Sequence, residues 1–146
     1  MKLITLTDQE AELAREYAEK MSAKGKYMFR HNHLGMLGEI GWGKFTKQKP
    51  NLVVYERGIG DDGTDFKDTQ VKTVGYNGPG EKEIKVTIGK LSPLVKKLVL
   101  MYANTNIPNE VYVVGEISRE SFLSKAQTGK YERTIHLGEN SLDVRY

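Results

Sequence analysis

The segment EVYVVGEIS, residues 110–118, restricts the fold more than any other part of the chain. It is rich in β-branched residues and has only two acids, as expected for a strand inside a sheet. Such a strand needs other secondary structure against both of its faces. Further strands are predicted at residues 52–56, 69–74 and 84–89, with edge strands at 131–137 and 142–146.

Helical spacing of apolar residues marks the segments that could cover this sheet. Thr7 and Glu10 form a capping box at the start of the first of them. Asn32 is suited to cap the second, which would end near Phe45. The predicted helices cover residues 8–23, 32–45, 92–103 and 118–126. The sum predicts a single mixed α/β domain with helices flanking a central mixed sheet.

Composition limits the chemistry and the setting. The chain has 146 residues, which is the size of one domain. It has no cysteine, which removes disulfides, thiolate zinc sites and cysteine nucleophiles together. No segment reaches the ~18 apolar residues of a membrane span, and the N-terminus does not have the pattern of a signal peptide. We expect an intracellular, cytoplasmic protein without a membrane partner.

Positive charge is concentrated in two parts of the chain. The net charge of +3 is too small to indicate a polyanionic partner by itself. Residues 24–49, however, contain six basic side chains and Glu39 as the single acid, and residues 82–97 contain five more lysines. A basic surface around a small acidic cluster suits a phosphate-rich substrate with a metal ion. A solvated, lysine-rich surface is the alternative.

Several familiar motifs fail on physical grounds. Residues 58–63, GIGDDG, match the dinucleotide-binding pattern in letters, but two aspartates would repel a pyrophosphate and a strand follows in place of a helix. The spacing of an EF-hand loop is missing. His31 and His33 have no third ligand nearby for zinc, since only His136 remains. No serine lies in a nucleophile elbow.

The segment around residues 65–72 has a more specific pattern. Gln70 and Lys72 share one face of a predicted strand, and Val71 points to the other face, toward the core. Asp65 precedes Gln70 by an odd number of residues, so one unbroken strand would place the two on opposite faces. A turn between them is therefore required.

A two-residue turn would bring these polar groups together. If Lys67–Asp68 forms the turn, Phe66 pairs with Thr69 and Asp65 lies across from Gln70. Lys-Asp is not a favoured hairpin turn, so a longer or bulged loop is the alternative. In both cases the polar ends of the side chains converge.

This set of side chains is suited to a magnesium site. Asp65 supplies a carboxylate, and the Gln70 side chain and the Val71 carbonyl supply neutral oxygen ligands. Lys72 could orient a nucleophile or neutralise charge on a phosphate. Glu39 is the best candidate for a second carboxylate.

Glu39 lies on the predicted second helix, away from its apolar stripe. Gly35 and Gly43 are one turn away on either side and would leave room for another backbone or a substrate strand. An ordinary surface ion pair with Lys44 or Lys47 is the alternative interpretation.

The order Glu39, Asp65, Gln70, Val71, Lys72 resembles the PD-(D/E)XK nuclease superfamily, which has the restriction-endonuclease-like fold. In that family a helix glutamate is followed by an aspartate and then by an (E/D)-x-K strand. The segments LGEIGWGKF, GTDF and TQVKT look like these three parts. Gln70 occupies the place of the usual acid.

The likeness spans roughly residues 32–126. It includes the predicted helix at 92–103 followed by the strand VYVVGEI, which resembles the later part of the family core. The first helix and the C-terminal strands look like additions. Asp62 and Asp68 are reserve candidates for the charge that Gln70 lacks.

The resemblance implies metal-dependent hydrolysis of a phosphodiester, with DNA as the expected substrate. Glu39, Asp65, Gln70 and Val71 would hold Mg²⁺, with Mn²⁺ as an alternative, and Lys72 would position the nucleophile. Members of the superfamily commonly act as homodimers, so a homodimer is expected here. The basic residues expected to contact the nucleic-acid backbone are Lys44, Lys47, Lys85 and Lys90.

Two other functions stay open from the sequence. One is an accessory protein of the same fold that binds nucleic acid with weak or no turnover. The other is a structural or interaction domain without a metal site, in which the aspartates only form turns.

Overall fold

The structure is a computed structural model. It describes residues 1–25, 28–52, 65–78, 82–125, 127–128 and 133–146. The strand predicted at 52–56 and the glycine-rich loop at 58–63 lie almost wholly outside these residues. None of the helices in the described residues is both long and apolar enough to span a membrane.

Three α-helices, eight strands and two short 3₁₀ helices make up the described fold. The helices are α1 (Asp8–Ala23), α2 (Phe29–Thr46) and α3 (Arg119–Ser124). The strands are β1 (Lys2–Thr5), β2 (Thr69–Gly75), β3 (Glu83–Thr87), β4 (Lys97–Ala103), β5 (Glu110–Ser118), β6 (Gln127–Thr128), β7 (Arg133–Gly138) and β8 (Val144–Arg145). The prediction of a mixed α/β domain is confirmed.

The larger sheet is mixed and has the strand order β1-β5-β4-β2. β2 runs parallel to β4, whereas β1, β4 and β8 run antiparallel to β5. The prediction that residues 110–118 form an interior strand is confirmed. In the described residues, β2 is the last strand on its side of this sheet.

The two faces of the sheet are covered differently. α2 packs on one face with α1 behind it, and the core there includes Leu37, Ile40 and Val99. The other face is covered by α3 and by a small sheet of order β3-β7-β6, with Leu98 and Phe122 in its core. The fold therefore has helices on one face and mainly a second sheet on the other.

The first helix begins as predicted. The Thr7 side chain accepts a hydrogen bond from the Glu10 amide at 3.1 Å, and the Glu10 carboxylate accepts one from the Thr7 amide at 2.9 Å. The helix ends at Ala23, and its Ala14 and Ala18 are fully buried.

The predicted start of the second helix is wrong. α2 begins at Phe29, and Met28 is its N-cap without a side-chain hydrogen bond. Asn32 is already helical and largely buried, and its side-chain amide donates to the Ser22 hydroxyl at 3.5 Å. Asn32 thus binds α1 to α2 and does not cap the helix.

The helix predicted at residues 92–103 is also wrong, because residues 97–103 form strand β4. Every residue from Leu98 to Ala103 is fully buried, so both faces of this segment are covered. A continuous apolar run of this length fits a buried strand as well as a helix, and its periodicity cannot separate them.

The C-terminal strands differ in part from the prediction. β7 is the central strand of the small sheet and not an edge strand, while β8 is a two-residue strand paired with β5. Leu137 of β7 is fully buried in the core of that face. The tail is therefore a structural part of the domain.

Candidate active site

The turn before β2 has the predicted form. Phe66 and Thr69 pair in an antiparallel bridge, with Lys67 and Asp68 as the two turn residues. The Thr69 amide donates to the Phe66 carbonyl at 2.8 Å, and the Phe66 amide donates back at 3.1 Å. This turn places Asp65 beside β2.

The Asp65 carboxylate is held by the backbone of β2. Its Oδ2 accepts a hydrogen bond from the Val71 amide at 2.6 Å. The Asp65 amide donates to the Thr69 carbonyl at 3.0 Å. The sequence predicted that Asp65 lies opposite Gln70. In the structure its carboxylate instead contacts the next residue, Val71.

Alternation along β2 separates a buried face from a polar one. Val71 and Thr73 are buried, whereas Gln70 and Lys72 are partly exposed. The Gln70 Oε1 atom is nevertheless buried and has no hydrogen-bond partner. A buried amide oxygen without a donor is unusual and is suited to a cationic ligand.

Close packing of α2 on β2 brings Glu39 into the same cleft as Asp65, Gln70 and Lys72. A Cβ on Gly38 would lie 1.8 Å from the Thr73 hydroxyl oxygen, so only glycine permits this contact. Gly35, one turn before Glu39, faces open space, as the sequence predicted. Gly43 does not, because a Cβ there would lie 2.6 Å from the Gln48 carbonyl oxygen.

All of the predicted catalytic and metal-binding residues line one cleft of about 500 Å³ between α2 and β2. They are Glu39, Asp65, Gln70, Val71 and Lys72. The cleft joins a helix, a turn and a strand that are far apart in the sequence.

The charges in this cleft act on one another. Burial lowers the pKa of Lys72, and the carboxylates of Asp65 and Glu39 partly offset that effect. Both carboxylates are thus close enough to influence the ammonium group.

The donor set is suited to Mg²⁺. Among the described residues, no group of three or more His, Cys, Asp or Glu side chains could hold a metal ion. Magnesium, however, usually binds through one or two carboxylates and retains waters. Glu39, Asp65 and the unpartnered Gln70 oxygen meet that requirement without a third acid.

The predicted backbone-binding lysines do not form one surface around the cleft. Lys44 donates to the Thr5 carbonyl at 2.8 Å and pairs with Glu10 at 2.7 Å, which favours a structural role. Lys47 and Lys85 are exposed and do not line the cleft, and the side chain of Lys90 lies outside the described part of the chain.

The two reserve aspartates do not enter the cleft in the described structure. Asp68 accepts a hydrogen bond from the Thr69 hydroxyl at 3.1 Å and lines a different pocket with Lys96 and Lys97. Asp62 lies outside the described residues.

The histidines do not form a shared site. His31 is exposed and lines the cleft, whereas His33 is buried near Phe29, and burial together with Arg15 lowers the pKa of His33. His136 contacts the Glu83 carboxylate at 2.7 Å on the small sheet.

Sequence reasoning missed five polar residues of the cleft wall, which are Tyr17, His31, Asn32, Thr73 and Glu83. The positions of Tyr17 and His31 in the cleft depend on how α1 and α2 pack against β2, which no local sequence pattern reports. No local signal identifies Glu83, because its position in the cleft depends on how β3 packs beside β2.

Comparisons with protein-family models, with curated proteins and with solved structures each found no match to this chain.

Proposed function

We propose that the protein is a magnesium-dependent nuclease that hydrolyses phosphodiester bonds in DNA. The observation that carries the proposal is the convergence of Glu39, Asp65 and Lys72 in one cleft, beside a buried Gln70 oxygen that has no partner. Two carboxylates, a neutral oxygen and an ammonium group are the groups that metal-assisted phosphoryl transfer needs.

The resemblance to the PD-(D/E)XK superfamily supports the proposal only through the motif residues Glu39, Asp65 and Lys72. Glu39 lies on helix α2 and Lys72 on strand β2, as the resemblance predicts, whereas Asp65 precedes β2 and does not lie in a strand of the described residues. The part of the resemblance that relied on a helix at 92–103 is withdrawn, because that segment contains strand β4.

Each side chain has a distinct role in the proposed site. Glu39, Asp65 and Gln70 Oε1 would hold the ion, and the Val71 carbonyl is a further candidate. When bound, Mg²⁺ supplies Lewis-acid activation of the phosphate and of the attacking water. The hydrogen bond from the Val71 amide fixes the Asp65 carboxylate before any ligand arrives.

Lys72 is the cationic group of the site. In its charged form the ammonium stabilises the negative charge that builds up on the phosphate oxygens as the bond breaks. It can also donate a hydrogen bond that orients the attacking water. Its partly buried position makes either interaction stronger than it would be in bulk solvent.

The direct test is cleavage of supercoiled plasmid, single-stranded DNA and branched DNA with Mg²⁺, Mn²⁺ or EDTA. We expect cleavage that requires the metal and falls at least ~100-fold in Asp65→Asn. DNA affinity and thermal stability should change little, since the new amide oxygen can still accept from the Val71 amide.

Asp68→Asn is the matched control, because Asp68 belongs to the same turn but lines another pocket. It should retain cleavage close to the wild-type rate. DNA binding without cleavage under all metal conditions would favour the accessory function, and wild-type activity in Asp65→Asn would refute the proposed site.

A further inference from the structure

A second cavity, of about 530 Å³, adjoins the candidate active site. The two share Leu34 and Gly75 as wall residues, so a ligand could extend from one into the other. The cavity lies where β2 and β4 end in register, with Gly75 opposite Ala103. In open α/β sheets, ligands bind beyond the carboxyl ends of parallel strands.

The walls of this cavity are polar and positively charged. Arg30 and Lys82 provide two cations, and three side-chain amides come from Asn77, Asn104 and Asn106. In the described part of the chain, neither cation has an ion-pair partner. Arg30 belongs to the first turn of α2, where the helix dipole disfavours a cation.

The loop that carries two of these amides is ordered by its own hydrogen bonds. The Asn106 amide donates to the Asn104 side-chain oxygen at 2.9 Å, which leaves the Asn104 NH₂ group as a donor. The Tyr76 amide donates to the Ala103 carbonyl at 2.8 Å and extends the pairing of β2 with β4. These hydrogen bonds hold the backbone of the wall at the ends of β2 and β4.

These groups match the parts of one nucleotide. Cations bind phosphate, and asparagine amides offer both donors and acceptors to the edge of a base. The volume lies in the range of pockets that enclose a small molecule, which a groove for duplex backbone alone would not need. In a duplex the base edges are paired and stacked, so they cannot enter such a cavity.

We propose that this cavity binds an unpaired nucleotide next to the scissile phosphate, so that the preferred substrate is DNA with a single-stranded or extruded nucleotide at the cleavage position. This inference rests on the proposed nuclease function, because the shared wall gives the cavity its relation to the substrate. Arg30 and Lys82 contact the phosphate, and the amides of Asn77 and Asn104 contact the base.

The test is fluorescence anisotropy in EDTA, so that binding is measured without turnover. The probes are a short duplex, the same duplex with one unpaired nucleotide, and a single strand. The wild type should bind the two unpaired probes about tenfold more tightly than the duplex. Arg30→Gln/Lys82→Gln should lose most of this preference and reduce the salt slope by about two.

Lys96→Gln/Lys125→Gln is the control, because it removes the same charge from two exposed residues that line neither cavity. It should keep the preference for unpaired DNA. Asn77→Ala should weaken binding to the unpaired probes without changing the salt slope. Thermal melting of each variant reports whether it is folded.

Equal binding of all three probes by the wild type, or a preference that survives in Arg30→Gln/Lys82→Gln, would overturn the inference and leave the nuclease proposal intact. A preference that is lost only in the cavity variants, in a protein that cleaves none of the substrates with any metal, would instead refute the nuclease proposal while the nucleotide cavity stands.

Discussion

Lys72 is expected to lower the stability of the folded protein while serving the proposed reaction. Its ammonium group is partly buried, and burial lowers its pKa more than Asp65 and Glu39 raise it. The folded protein therefore holds a charge whose dehydration is not fully compensated. Residues that reduce stability in this way are concentrated at functional sites.

Lys72→Met should abolish metal-dependent cleavage and raise the melting temperature, because methionine removes a charge whose burial is not fully compensated. The pKa of Lys72 is lowered on folding, so the destabilising charge is fully present below the folded pKa. The gain from methionine should therefore shrink as the pH rises through that pKa toward the unfolded value of ~10.4.

Calorimetric melting at several pH values measures this effect. Lys85→Met is the control, since Lys85 is exposed on β3 and its replacement should not raise the melting temperature. A lower melting temperature in Lys72→Met at neutral pH would show that its ion pairs outweigh its burial.

Gln70 tests the neutral oxygen of the proposed metal site. Gln70→Glu should bind Mg²⁺ about tenfold more tightly, because the number of charged ligands sets the affinity of such sites. Without metal it should be less stable, because a third carboxylate would lie near Asp65 and Glu39. Titration calorimetry gives the affinity, and melting with and without Mg²⁺ gives the stability.

Gln48→Glu adds the same charge at an exposed position outside the cleft and should change neither quantity. An unchanged Mg²⁺ affinity in Gln70→Glu would remove this side chain from the set of ligands.

At the scale of elements, the site depends on how closely α2 approaches β2. Gly38 meets the Thr73 side chain where any larger residue would overlap it. Glu39 follows Gly38 on the helix, so this contact sets the distance of Glu39 from Lys72 on the strand. Gly35 lies on the same helix but faces open space.

Gly38→Ala should lower the melting temperature by several degrees and reduce cleavage, because α2 must move away from Thr73. Gly35→Ala should instead raise stability by ~0.5–1 kcal/mol through helix propensity. Thermal melting of both variants and a cleavage assay on Gly38→Ala check this. A partial recovery in Gly38→Ala/Thr73→Ala would assign the loss to that contact, and equal shifts in the melting temperatures of the two single variants would contradict it.

The sequence was sufficient for the elements whose signals are local. The capping box of Thr7 and Glu10 set the start of α1, and period-two alternation together with turn geometry placed Asp65 beside β2. The segment 97–103 was misassigned, because burial on both faces removes the periodicity that identifies a strand. The role of Asn32 depends on a tertiary contact with Ser22.

The candidate site was more predictable than the topology around it. Glu39, Asp65, Gln70 and Lys72 were predicted from residue chemistry and spacing, and all four line one cleft. The second sheet, and with it the position of Glu83, was not predicted, because pairing of β3 with β7 joins segments about fifty residues apart. Such long-range pairing cannot be recognised from a short stretch of sequence.

At the scale of the whole molecule, β4 connects two cores. Val99, Met101 and Ala103 belong to the core under α2, whereas Leu98, Leu100 and Tyr102 belong to the core under the small sheet. Because a single strand supplies both, loss of one core should disturb the other. The domain should then unfold as one cooperative unit.

Leu98→Ala tests this coupling, because Leu98 is fully buried on the face away from Trp42, the only tryptophan of the chain. The truncation should reduce the free energy of unfolding by ~2–5 kcal/mol. Urea unfolding followed by Trp42 fluorescence and by far-ultraviolet circular dichroism should shift together to the same lower midpoint. If the fluorescence midpoint stayed at its wild-type value while the dichroism transition moved, the two cores would be independent, and the active-site face could remain folded when the small sheet is lost.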